Sequence, residues 1–401
     1  MGDVVVVGAG QAGSSCVAKL RAGGFDGSVT LIGAEPAPPY QRPPLSKAYL
    51  LGEMSIDRMY LRPEAFYADN NIELITGQDV TGVNASAKTI NLGDATMDFN
   101  HLVLATGSDP VRLPASIGGD KAGIYCVRTL ADVDAMAPEF VEGRRLLIVG
   151  GGYIGLEAAA VGAKKGLQVT LVEAADRILK RVASPETSDF FRAKHQEHGV
   201  TILESSGLAH FTGDDRVAGA VLSDGSEIEA DFAIVGVGIK PSIALAEAAG
   251  CTIDNGIWTD EQGRTSVDGI WAAGDCASFP YRGDRIRLES VPNAIDQAEV
   301  VAENIMGAGK DYVARPWFWS DQYDIKLQIA GLCTGYDRVI SRASDKGGSS
   351  FWYYRGDELL AVDAANDPRG YMVGKRLIEA GKSPAAEAIA DPSVELRSLL
   401  K

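Results

Sequence analysis

Two stretches of this chain repeat one pattern of apolar and small residues. VVVVGAGQAGSSCVAKLRAGG, followed by VTLIGAE, opens the sequence, and LLIVGGGYIGLEAAAVGAKKG, followed by VTLVEA, starts at Leu146. Each reads as strand, glycine-rich turn, helix, strand. Ala12, Cys16 and Leu20 recur at i, i+4, i+8 in the first helix, as do Ile154, Ala158 and Gly162 in the second. That spacing predicts one apolar or small face packed on a sheet. Gly23-Gly24 and Gly166 end the two helices. The repeat therefore predicts two βαβ units, with Gly8 and Gly150 in matching places.

The segments between and after the units differ. Residues 36–66 are rich in proline and aromatics and predict loop with short helices. Residues 72–106 predict short strands, ending in the buried-type run HLVLATG, and VTILESSGLAHF, VAGAVLSDGS and EIEADFAIVGVG repeat that pattern. A long excursion from Ile239 to Asn304 follows. From about Pro316 the chain alternates β-rich runs and ends in helix, which predicts a separate α+β domain. The fold class expected is α/β: two Rossmann-like dinucleotide-binding domains plus a C-terminal α+β domain.

Composition narrows the function classes. With 401 residues, 46% of them hydrophobic and 23% charged, the chain can bury a core and is not a disordered one. No run of about 18 apolar residues predicts a membrane helix, and MGDVVVV leads into a strand rather than reading as a signal peptide. The net charge of −16 argues against nucleic-acid binding. From Pro316 to Lys401 the 11 basic and 12 acidic residues nearly cancel, so the acidic excess lies before that point. Five scattered cysteines and four dispersed histidines form no disulfide framework and no metal-ligand spacing, which fits a cytoplasmic protein without a metal.

The glycine turns carry the chemistry. In Gly8-x-Gly10-x-x-Gly13 the first glycine permits the tight turn, the second lets a pyrophosphate approach the backbone, and the third lets helix and strand pack closely. Gly150-x-Gly152-x-x-Gly155 repeats the device, and Glu173 ends the next strand 18 residues on. A carboxylate there accepts hydrogen bonds from both ribose hydroxyls and repels a 2′-phosphate, so this unit is expected to bind NAD(H) rather than NADP(H). Aligning the two VTL strands puts Gly33 in the Glu173 slot, leaving Ala34 or Glu35 to serve the first ribose. Two dinucleotide sites in one chain point to a tightly held flavin and a diffusible nicotinamide.

GAGQAG, LVLATGSDP, GGGYIGLE and TSVDGIWAAGDCA resemble the flavoprotein pyridine-nucleotide reductases. YQRPPLSKAYL, LESVPNAIDQA and PWFWSDQYDIKLQIAG narrow the resemblance to the FAD-dependent NADH:ferredoxin reductases, across essentially the whole chain. The disulfide-using members carry redox cysteines on the loop after the second strand. Here that loop, Pro39 to Lys47, has none, so thiol chemistry is disfavoured and electrons must leave from the flavin itself.

The resemblance implies a discontinuous FAD domain at 1–108 and 237–314, an NAD domain at 109–236 and a C-terminal domain at 315–401. It implies FAD contacts at Ala12, Arg42, Lys47, Val80, Ala105-Thr106-Gly107, Arg128, Gly274-Asp275 and Val291, with Val80 equally readable as plain core. It implies nicotinamide-side contacts at Tyr153, Ile154, Gly238, Glu289 and Trp319. Lys47 is the cation beside the flavin ring and Glu157 its ion-pair partner. Trp317, Phe318, Trp319 and Tyr323 read either as domain-boundary core or as a nicotinamide and acceptor surface. The activity implied is hydride transfer from NADH to FAD and single-electron transfer to a [2Fe–2S] ferredoxin serving a cytochrome monooxygenase. The alternatives are a dioxygenase or rubredoxin system, or a sensor of the apoptosis-inducing-factor type. The protein is expected to be a monomer or weak homodimer. Arg285, Arg287, Lys326, Arg338 and Arg342 are candidates for a basic docking patch.

Overall fold

A computed structural model describes residues 2–344 and 347–401. The chain divides into two compact units: 1–42, 55–109 and 239–316 form one, and 43–54, 110–238 and 317–401 the other.

The first unit is built on a five-stranded parallel sheet. Its order is Ile270–Ala272, His101–Leu104, Val4–Val7, Val29–Gly33 and Glu73–Thr76. Val4–Val7 is buried along its whole length, as a strand covered on both faces must be. On one face lie the Gln11–Ala22 and Val291–Ile305 helices, whose Cys16, Val17 and Leu20 meet Ala294, Ala298 and Val301 in one core. Lys19 pairs with Glu303 at 2.8 Å across the two. Short helices Ile56–Arg58 and Ala65–Asp69 occupy this unit's share of the proline-rich stretch, and Pro43–Ser46 belongs to the second unit.

The second unit holds a matching parallel sheet: Thr201–Leu203, Gln168–Val172, Arg145–Val149, Phe232–Val235 and Ile124–Tyr125. The helix Tyr153–Lys164 packs on it, with one correction to the expected face. Ala158 and Gly162 are buried, but Ile154 is 45% exposed. Gly155 and Gly162 face the sheet at Ile148 and Leu146, and Ile154, about 100° round the helix from Gly155, is turned away from it. The 317–401 portion forms an antiparallel sheet in the order Trp317–Gln322, Ile325–Gly331, Glu358–Ala365, Ser349–Arg355, Arg338–Ala343. The helix Pro368–Glu379 lies so close on it that a Cβ at Gly374 would come 2.4 Å from Val362.

A buried carboxyl ties this antiparallel sheet to the Pro185–Glu197 helix. Asp363 accepts hydrogen bonds from the Tyr353 hydroxyl and from Thr187 Oγ1 (2.9 Å), while Tyr353 Oη accepts from the Ser184 amide at 3.0 Å. Burial pushes the Asp363 carboxyl up to about 7. The folded chain thus binds a proton that the unfolded chain, with an aspartate near ~3.9, has released. This contribution to stability is full at low pH and is lost as pH rises through about 7, a change on the order of 4 kcal/mol. Asp363→Asn should therefore flatten the fall in melting temperature from about pH 5 to pH 8. Parallel wild-type and variant curves would contradict the assignment.

Candidate functional site

In the first unit the turn Gly8–Gly13 sits at the end of Val4–Val7. Gly8 has φ +111°, and a Cβ there would come 2.1 Å from the Ala105 carbonyl. A Cβ on Gly13 would come 1.9 Å from the Gly8 carbonyl. A Cβ on Gly10 would meet nothing within 4 Å. Gly8 and Gly13 are thus required by packing, whereas Gly10 faces open space at the helix start. That helix has no side-chain cap, although those at Val291 and Pro368 are capped by Ser290 and Asp367. Free amides and an open approach are what a pyrophosphate needs. Gly10→Ala should leave the fold intact at a cost of about 1 kcal/mol while lowering FAD content, and Gly13→Val should prevent folding. Circular dichroism with flavin absorbance on both variants separates the two roles.

Other expected flavin residues of this unit gather around the turn. A Cβ on Gly274 would lie 3.1 Å from that of Ala12, which brings Asp275 to the start of the first helix. Glu35 binds Arg42 Nη2 at 2.6 Å and also the Tyr40 hydroxyl, and Arg42 feels the Asp275 charge. Thr106 Oγ1 donates to the Ser242 carbonyl at 2.6 Å, and Gly107 has φ +71°. Val291 opens its helix. Val80 packs against the core around Leu102 and Ile257, and Ala34 is exposed.

The second unit repeats the turn and differs where the first was expected to. A Cβ on Gly150 would come 2.4 Å from the Gly236 carbonyl and one on Gly155 2.2 Å from the Gly150 carbonyl, while Gly152 faces open space. Tyr153–Lys164 likewise begins without a side-chain cap. Val7 pairs with Ile32 and Val149 with Val172, so Gly33 and Glu173 are equivalent by register. A Cβ on Gly33 would meet that of Ala9 at 2.6 Å, so no larger residue fits there. In the second turn Ala9 is replaced by Gly151. Its amide donates to Glu173 Oε2 at 2.7 Å, and the Ala175 amide donates to Oε1 at 2.8 Å. Gly238 has φ +120° and faces Arg181; Arg128 lies half-buried before the Leu130–Met136 helix.

Lys47 and Glu157 meet as expected. Lys47 Nζ lies 3.1 Å from Glu157 Oε1, with the lysine side chain 16% and the glutamate 3% exposed. Burial pushes the Glu157 carboxyl up, while Lys47 and donors from Ser320 (2.6 Å) and Ser46 (2.5 Å) pull it down. Ser46 and Ser320 carry no signal in the residue pattern that marks them as partners of Glu157. The arrangement follows from two periodicities. Tyr153 and Glu157 are four residues apart on a helix, about 6 Å of rise, and Phe318 and Ser320 are two apart on a strand, about 7 Å. Phe318 therefore packs on Tyr153, with ring centres 5.1 Å apart, as Ser320 reaches Glu157.

The aromatic cluster is split. Trp317 and Trp319 lie 5.6 Å apart, but Tyr323 leaves them and stacks on His198 at 3.7 Å. The expected basic patch is also reduced. In the first unit Arg285 donates to the carbonyls of Thr259 and Ser278, and Arg287 pairs with Glu289 at 2.6 Å. In the second, Arg342 clamps the carbonyls of Ile389, Asp391 and Val394, Arg338 lies near Glu387, and Lys326 is exposed. Arginines so engaged hold loops in place. The cysteines are unpaired thiols, four of them buried. Burial pushes Cys16 up to about 12 and raises Cys276 as well, so neither offers a thiolate near neutral pH. No metal-binding cluster and no helix able to cross a membrane occurs among the described residues.

The pyridine nucleotide-disulphide oxidoreductase family model matches residues 2–298, and the reductase C-terminal model matches 317–400. The chain is 44% identical to a ferredoxin–NAD(P)+ reductase of Sphingomonas sp., covering 99% of this chain and 97% of that one. It is 40% identical to putidaredoxin reductase of Pseudomonas putida, covering 99% and 96%. Among solved structures, the covalent putidaredoxin reductase–putidaredoxin complex matches with TM-score 0.96 at 39% identity, over 99% of this chain and 98% of that one.

Proposed function

The chain belongs to the pyridine nucleotide-disulphide oxidoreductase family, as a flavoprotein ferredoxin reductase using FAD and NADH, and from that premise we propose its electron path. NADH is the donor, a [2Fe–2S] ferredoxin the acceptor, and a cytochrome monooxygenase the consumer. FAD belongs to 1–108 and 237–314, NADH to 109–236, and 315–401 is the C-terminal domain. The protein works as a monomer or weak homodimer in the cytoplasm.

Bound FAD supplies the conversion of one hydride into two single electrons. The chain's residues bind and orient. The amides behind Gly10 and Gly152 face the two pyrophosphates, and Glu173 accepts from the nicotinamide-side ribose hydroxyls. Lys47 holds a positive charge beside the ring, and Glu157 fixes it there. Tyr153 and Trp319 line the nicotinamide side. A cation fixed at Lys47 would stabilise negative charge on a flavin held beside it, without moving a proton.

The observation that best supports this reading is the pairing of Lys47, on a loop without cysteine, with the buried Glu157. A cation is held there, and no thiol is present to take the electrons. A direct test offers NADH with a [2Fe–2S] ferredoxin, a rubredoxin or dioxygen alone. The ferredoxin should be reduced at least about tenfold faster than either alternative. A faster rate with rubredoxin would move the assignment to a rubredoxin system, and a faster rate with dioxygen would make the protein an oxidase.

A further inference from the structure

Glu157 is the end of a longer buried chain of hydrogen bonds. Ser320 Oγ lies 2.6 Å from Glu157 Oε1, Gln322 Nε2 3.2 Å from Ser320 Oγ, and His195 Nε2 2.9 Å from Gln322 Oε1. Tyr323 Oη lies 2.9 Å from His195 Nδ1, and the Tyr323 ring stacks on His198 at the surface. Glu157, Ser320, Gln322 and His195 are all buried.

The chemistry allows one consistent set of directions. An ionised carboxylate only accepts, so Ser320 donates to Glu157. The Ser320 oxygen then accepts from the Gln322 amide NH₂, which turns the Gln322 carbonyl toward His195. His195 Nε2 must carry the hydrogen, leaving Nδ1 bare to accept from the Tyr323 hydroxyl. Every donor points toward Glu157. Burial keeps His195 neutral by lowering its affinity for a proton to about 4, so this direction holds across the neutral range.

Two features show that the far end is held in place. Tyr323 has φ +55°, the left-handed conformation that the two-residue hairpin between Gln322 and Ile325 calls for, and it is fixed from two sides by His195 and His198. Gln322 and Ser320 share one face of the Trp317–Gln322 strand, so each reaches a different helix, Pro185–Glu197 and Tyr153–Lys164.

We propose that Ser320, Gln322 and His195 are positioning residues for the flavin-reducing step: their aligned donors hold Glu157 ionised and in one orientation, and Glu157 in turn holds Lys47. This rests on the reading of Lys47 as the cation beside the flavin. The groups that face Glu157 are Lys47 and Ser46 from the 43–47 segment and Ser320 from the strand. Asp321 lies 3.7 Å from Lys47 and is 45% exposed. His195, His198 and Tyr323 stand at the far end of the chain.

The test measures Glu157 itself. In the FAD-loaded protein, the infrared band of a protonated carboxyl that is lost in Glu157→Gln reports its titration without any turnover. Ser320→Ala removes one donor, so the carboxyl should take up its proton about one pH unit higher than in wild type. Ser320→Thr keeps the hydroxyl and should titrate as wild type. Gln322→Met leaves Ser320 free to turn away and should shift the titration in the same direction; it carries the comparison if Ser320→Ala does not fold. The rate of flavin reduction by NADH should fall at low pH in step with the infrared titration in the shifted variants. A titration unmoved in both Ser320→Ala and Gln322→Met, or moved equally in Ser320→Thr, overturns the proposal. Lys47→Ala separates the two readings. If it reduces flavin at the wild-type rate while the infrared shift persists, the role of Lys47 fails and the positioning of Glu157 stands.

Discussion

Lys47→Ala should slow NADH-driven bleaching of the bound flavin by about 100-fold while FAD stays bound. One effect sets that figure, and a loss of stability accompanies it. Removing a preorganised cation from a low-dielectric site costs on the order of 10²–10³ in rate where charge develops. Removing one member of a buried ion pair also leaves the other uncompensated, at about 3–5 kcal/mol. Glu157, with its side chain 3% exposed, is the member left behind. Burial already pushes its carboxyl up, and removing Lys47 takes away the nearby charge that pulls it down. A double variant, Lys47→Ala with Glu157→Gln, separates the contributions. It should recover most of the lost stability, since no buried charge remains, and none of the lost rate. Recovery of the rate as well would mean that Lys47 acts only by neutralising Glu157.

Glu173→Arg should weaken NADH binding by about 10–100-fold and bring NADPH close to it, because each hydrogen bond to a charged group contributes roughly 1.5–3 kcal/mol. The carboxylate is anchored by the Gly151 and Ala175 amides, which fixes it beside the turn proposed above for the nicotinamide dinucleotide. Arginine at that place offers a 2′-phosphate the partner it lacks and leaves ribose hydroxyls without an acceptor. The comparison of KM for both nucleotides, at equal flavin content, gives the answer. An unchanged NADH value would remove Glu173 from the ribose site.

Legibility in the sequence followed the range of each interaction. The two βαβ units could be read because glycine, strand and helix lie within 30 residues of one another. Gly8, Gly13, Gly150 and Gly155 are packed against main-chain atoms at distances that admit no side chain. The asymmetry of the two turns could also be read, as Gly33 against Glu173, but its cause could not. That cause is Ala9, whose methyl fills the place that Gly151 leaves open to the Glu173 carboxylate.

Polar groups brought together over long separations left no trace. Ser46, Ser320, Gln322 and His195 converge through strand–helix register, and serine and glutamine on a strand look like surface residues until the partner helix is known. Asp363 was equally hidden, since its partners Thr187 and Tyr353 lie on another helix and another strand. The arginines misled for the opposite reason. Arg285 and Arg342 read as free charge, but their guanidinium groups hold main-chain carbonyls of nearby loops. Ile154 fitted the i, i+4 spacing and is nevertheless exposed, because the face on the sheet is centred on Gly155 and Gly162, about 100° round the helix from it.

On the proposed path this chain takes a hydride from NADH onto FAD and passes electrons singly to a ferredoxin without a thiol. Anaerobic rapid mixing tests it most directly: the protein with NADH first, then an oxidised [2Fe–2S] ferredoxin, followed at the flavin and iron–sulfur absorbances. Fast flavin bleaching is expected, then reoxidation with two ferredoxins reduced per NADH, unchanged after thiol alkylation. Bleaching that reaches no ferredoxin, or transfer abolished by alkylation, would contradict it.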